Sequence, residues 1–147
     1  MNAYISARRA WLLVGAALVL GASVIGFGST AAIAADVKVT LTGDQEVPPV
    51  KTVGVGSGFF AIGNDKSISG SVNTAGITGT VAHIHEGAPG KNGPVIIPLT
   101  KKGDTYSVPA GLKLTDGQLA TFEAGNLYVN VHSAANPGGE LRGQLKR

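Results

Sequence analysis

From Asp36 to the C-terminus the chain breaks into short alternating segments separated by Gly, Pro, Asn and Asp, and no stretch carries a 3.6-residue apolar period. Period-two patterning bounded by turn formers is the signature of an all-β chain. The expected strands are Val37–Thr42, Gly56–Ile62, Ser67–Val72, Gly79–His85, Val95–Leu99, Thr105–Val108, Asn126–His132 and Glu140–Leu145. Thr115–Gly125 is the one place for a short helix, because Thr115 can cap it and Gln118, three positions on, completes a capping box. About eight strands at this spacing predict two packed antiparallel sheets, an all-β antiparallel sandwich.

The first 35 residues have a different character. Arg8-Arg9 precede an apolar run from Trp11 to Phe27, and Ala32-Ile33-Ala34 follows as an A-x-A cleavage site, the pattern of an export signal. Residues 36–147 are then expected to be the mature domain, in the periplasm or outside the cell. A retained anchor is the alternative, since about 18 apolar residues can span a bilayer. The twin-arginine route competes with general secretion, although Ala7 stands where Ser or Thr is usual. Removing Arg8 and Arg9 from the 12 basic residues leaves ten, against nine acidic residues that all follow Ala35, so the mature net charge is about +1. A phosphate-binding surface needs clustered Lys and Arg, so no nucleic-acid partner is expected. Once the signal is cleaved, no membrane association is expected either. Cysteine is absent, and the exported domain must be held by burial alone.

Alternation assigns faces. Leu127, Val129 and Val131 share the core side of their strand, leaving Tyr128, Asn130 and His132 on the other. Leu141, Gly143 and Leu145 face inward, with Glu140, Arg142 and Gln144 outward. In the strand 79–85, Thr80, Ala82 and Ile84 share one face and Gly79, Val81, His83 and His85 the other. The short "SAANPGG" connection joins the last two strands as a hairpin.

The chain has three histidines. An H-x-H pair on a strand places its Cβ atoms about 6.5–7 Å apart on one face, near enough to ligate one ion. His132 also ends a strand on its polar side, so the three can converge. Three imidazoles with an open position suit Cu²⁺ or Zn²⁺, and copper leads the affinity order at nitrogen donors. Met1 is the only methionine, so a blue-copper site built on thiolate and thioether is excluded. Glu86 and Glu140 are candidate fourth ligands or hydrogen-bond acceptors for an imidazole N–H. The plainer readings are that Glu86 alternates away from the histidines and Glu140 pairs with Arg142 or solvent. Tyr128, Asn130 and Arg142 are expected to line the site. Gly87, Pro89, Gly90, Gly93 and Pro94 read as turn chemistry and not a phosphate cradle, since no helix follows. "QEVPPV" reads as a rigid connection. Ser133 adjoins His132 but points to the opposite face, so the two make no nucleophilic couple.

Taken together, "LTGDQEVPPV" (41–50), "GSGFFAI" (56–62), "GITGTVAHIHEGAPGKNGPVIIPL" (76–99) and "LYVNVHSAANPGGELRGQL" (127–145) resemble the CHRD family, the domain named after chordin. The resemblance spans essentially all of the mature chain and implies an immunoglobulin-like β-sandwich. It also implies extracellular interaction roles in animals and an exported single domain in bacteria. "HIHEG" is similar to the copper strand of copper/zinc superoxide dismutases, likewise β-sandwiches, but three histidines are too few for their bimetallic centre. Three functions are therefore weighed: an exported metal-binding protein, with copper ahead of zinc; a non-catalytic module binding an extracytoplasmic protein or glycan; and a metal-dependent redox enzyme. The oligomeric state is left open by the residues.

Overall fold

A computed structural model describes residues 33–147, so the expected basic pair and apolar run lie outside the described residues. Among the described residues nine strands and one α-helix follow one another as β1 (Ile33–Thr42), β2 (Val55–Gly63), β3 (Ile68–Ala75), β4 (Gly79–Glu86), β5 (Val95–Pro98), β6 (Thr100–Lys102), β7 (Thr105–Ser107), α1 (Asp116–Glu123), β8 (Leu127–Ser133) and β9 (Leu141–Leu145), with a 3-10 turn at Gly43–Gln45. Strand β6 was not expected, because Thr100-Lys101-Lys102 has no apolar alternation. Its strand character comes from pairing with β7, Lys101 opposite Tyr106.

All the ladders are antiparallel, and the strands run in the order β5-β4-β8-β9-β1-β2-β3-β7-β6. Two corners fold this ribbon into a sandwich-like near-barrel. At one, β9 and β1 share the single register pair Thr42↔Arg142. At the other, β5 and β6 lie at opposite ends of the strand order yet are separated in sequence by Leu99 alone, whose N–H donates to the Ala82 carbonyl. The expected pair of sheets is thus a single sheet bent into a four-stranded and a five-stranded layer.

The core lies between the layers. Val37, Leu41, Phe60, Ile62, Val72, Ile84, Val129, Val131, Leu141 and Leu145 are all fully buried, on the faces that alternation assigns. Helix α1 has the expected capping box: Thr115 Oγ1 accepts from the Gln118 N–H, and Gln118 Oε1 accepts from the Thr115 N–H. Its Phe122 joins the core.

Alternation fails at the start of β4. A bulge between Gly79 and Val81 shifts the register against β8, so Gly79 turns inward, where a Cβ would strike the Tyr106 hydroxyl, and Thr80 is exposed. Beyond the bulge the pattern recovers, with Ala82 and Ile84 in the core and His83 and His85 on the outer face.

Alternation turns Tyr128, Asn130, Glu140 and Arg142 outward, away from the core, but does not leave them in solvent. All four are buried, Arg142 to 1% exposure. The segments 43–54 and 87–94 lie over them, tied together where Asn92 Nδ2 donates to the Val47 carbonyl. A buried charge is tolerated only if its hydrogen-bonding groups are matched. Arg142 donates to the carbonyls of Ala88 and Lys91 and to Asn92 Oδ1. Gln144 donates to the carbonyls of Gly87 and Gly125. The Gly/Pro loop is therefore pinned by side chains of β9.

Candidate metal centre

Strands β4 and β8 place the three imidazoles. Their register sets Val81 opposite His132, His83 opposite Asn130 and His85 opposite Tyr128. Because facing residues in an antiparallel pair share a side of the sheet, His83, His85 and His132 meet on the outer face. One nitrogen from each lies within 4.8 Å of the other two, and His83 Nδ1 is 3.1 Å from His132 Nε2. Two donors on one ion at about 2.0–2.1 Å, in tetrahedral geometry, stand roughly 3.3 Å apart.

Two of the other ring nitrogens are held by backbone carbonyls. His85 Nδ1–H donates to the Gly93 carbonyl at 2.9 Å, and His132 Nδ1–H donates to the Pro137 carbonyl at 2.9 Å. A carbonyl can only accept, so both nitrogens carry the proton and both Nε2 atoms present lone pairs in the neutral rings. An imidazole that donates its distal N–H to a carbonyl is the usual arrangement behind a metal ligand. His85 Nε2 is buried with no hydrogen-bond partner, which costs on the order of 1–3 kcal/mol unless something occupies its lone pair.

Electrostatics favour bare lone pairs. Burial first, and then the neighbouring His132 and His85, hold the His83 imidazole below its ordinary pKa. Burial also lowers that of His85, against the Gly93 hydrogen bond and the nearby Asn130 amide, which favour its charged form. A stack keeps the His85 ring in place: it lies parallel to Tyr128 at 4.7 Å between centroids, and the Arg142 guanidinium sits 3.5 Å above the Tyr128 centroid. Tyr128 Oη accepts from the Gly93 N–H, so the loop that orients His85 is held by the ring that stacks on it.

The expected neighbours divide. Asn130 reaches the site, its Oδ1 3.1 Å from His132 Nε2. Tyr128 and Arg142 support His85 from behind. Glu86 turns away, as alternation suggested, and accepts from Thr121 Oγ1 on α1. Glu140 pairs neither with Arg142 nor with an imidazole. It accepts from Thr52 Oγ1 at 2.6 Å, and bonds from Ser133 and Thr52 hold its carboxyl below the usual range.

Glu46 was not foreseen. It sits in the proline segment read as a plain connection, is 5% exposed, and its Oε1 is buried without a partner. Burial raises its pKa, outweighing the nearby Arg142 charge and the Asn130 amide. An acid directly before Val47, Pro48 and Pro49 was the only available signal. Nothing in period or spacing brings it to β8 across 84 residues of chain.

The arrangement can hold one cation on three neutral imidazoles, one of which is buried. Comparison with known proteins adds a family: the CHRD domain model matches residues 37–145. No curated protein and no solved structure gives a match.

Proposed function

We propose that this chain, which belongs to the CHRD-domain family, is an exported protein that holds one divalent metal ion on His83, His85 and His132, copper ahead of zinc. The observation that carries this reading is His85 Nε2, a buried lone pair without a partner, aimed into a cluster of two further imidazoles. Copper is preferred because the donors are nitrogen and Cu²⁺ leads the divalent series at such sites. With no cysteine in the chain and Met1 its sole methionine, the ion would be a pale tetragonal Cu(II) centre. Export rests on the signal-like N-terminus. Among the described residues no helix is long and apolar enough to cross a membrane. Metal analysis of protein taken from its native compartment, with electron paramagnetic resonance after Cu²⁺ addition, tests the reading. Close to one copper per chain with nitrogen hyperfine structure supports it, and a metal-free protein that takes up no copper rules it out.

A second reading, binding of an extracytoplasmic protein or glycan, is favoured by exposed Val53, Val55 and Phe59 in and before β2. These residues are remote in sequence from the histidines. Phe59→Ser is expected to leave copper affinity unchanged, which separates a partner surface from the metal centre.

A further inference from the structure

Asn130, on β8 two residues before His132, stands directly opposite His83 in the β4–β8 register. Its Oδ1 is 3.1 Å from His132 Nε2, the same separation as His83 Nδ1 from that atom. His132 commits its Nδ1 proton to Pro137. In the neutral ring its Nε2 lone pair therefore faces the Asn130 oxygen, which can only accept, beside a His83 nitrogen that donates only in its Nδ1–H tautomer. Lone pairs at such distances repel unless a cation or a proton lies among them. His85 Nε2, buried and unpartnered, is the fourth atom of the group.

The way round of the Asn130 amide is set from its other end. Gly139 has φ +130°, and a Cβ there would lie 2.8 Å from the Glu46 Cδ and 2.9 Å from Asn130 Nδ2. The carboxylate and the amide nitrogen thus converge over Gly139, which has no side chain to part them. The Asn130 amide favours the charged form of Glu46. A carboxylate can only accept, so it turns the amide NH₂ toward itself and the Oδ1 toward the histidines.

We propose that the centre has four protein ligands, with Asn130 Oδ1 completing the three imidazoles, and that Glu46 is a positioning residue holding that oxygen inward. The proposal rests on the metal reading above and makes the site three nitrogens and one neutral oxygen. The separations of 3.1 Å are those of neighbouring donors on one ion with bonds of about 2.0–2.1 Å. A closed set of protein donors suits retention of an ion better than chemistry at an open position.

The test uses Cu²⁺ titration and electron paramagnetic resonance on the full chain with its fold intact by circular dichroism. Asn130→Ala is expected to weaken Cu²⁺ binding at least tenfold and to change the parallel hyperfine coupling. Glu46→Ala is expected to weaken it about 10–100-fold, the range for partners that orient a ligand. Glu46→Gln keeps an acceptor for the amide and is expected to restore wild-type affinity and spectrum. Should Asn130→Ala fail to fold, Asn130→Asp keeps the shape and must shift the spectrum by exchanging a neutral oxygen for a charged one. If the Asn130 variants match wild type in affinity and spectrum while each His→Ala variant loses binding, Asn130 is not a ligand and the three-imidazole reading stands. If wild type binds no copper, both readings fall.

Discussion

At the residue scale, the proposed centre depends on neutral imidazoles, and burial shifts the pH at which two of them are available. His83 and His85 have pKa values held below the ordinary one. Protons compete with a metal only once the ring begins to titrate, so copper binding should persist below about pH 6.5, the ordinary imidazole value. A Cu²⁺ titration followed across pH 4–8 should show its half-loss under that value, and a midpoint above it would mean the lone pairs are not protected. The sign for stability agrees. Below about pH 6.5 the unfolded chain takes up protons on these two rings before the folded one does. The contribution of His83 and His85 is therefore present above that value and lost as pH falls through their lowered folded values. Gly139→Ala is a second residue-scale case. Its φ of +130° and the nearby Glu46 carboxylate leave no room for a methyl group, so the variant should lose about 1–3 kcal/mol in urea denaturation.

At the element scale, the inner faces of β4, β8 and β9 were legible in the sequence, because period two is rigid wherever a strand stays in register. Ile84, Val129, Val131, Leu141 and Leu145 are buried as alternation requires. Truncating Val131 to Ala removes two methyl groups from a closed core and should cost about 1–3 kcal/mol by chemical denaturation. The convergence of the histidines was legible for the same reason, once β4 and β8 are neighbours. The bulge after Gly79 was not, since one extra residue changes parity without changing composition. Nor was the burial of the outer face. Alternation says which side chains are turned away from the core, but not that the loops before β2 and β5 fold back over them. Arg142 and Glu46 are buried through contacts distant in sequence, and only tertiary structure supplies those. The helix was legible from its capping box, and Thr115→Ala should cost about 1 kcal/mol.

At the scale of the whole molecule, the centre joins β4 to β8 and, through Arg142 and Tyr128, to β9 and the loop 87–94. The three imidazoles come together only in the folded chain, so an ion held by all three stabilises the fold. At a free concentration 100 times the Kd the gain is about 2.7 kcal/mol, which for a domain of this size raises Tm on the order of 10 °C. Calorimetry with Cu²⁺, Zn²⁺ and chelator should rank the three conditions in that order. The most direct measurement is a Cu²⁺ titration of the metal-free wild type beside His83→Ala, His85→Ala, His132→Ala and Glu123→Ala. The account predicts one equivalent bound by wild type and by Glu123→Ala, with affinity falling at least tenfold in each histidine variant. His132→Ala binding as tightly as wild type would contradict it, and His83 and His85 would then be two neighbouring polar side chains on β4, His85 held by Gly93, and nothing more.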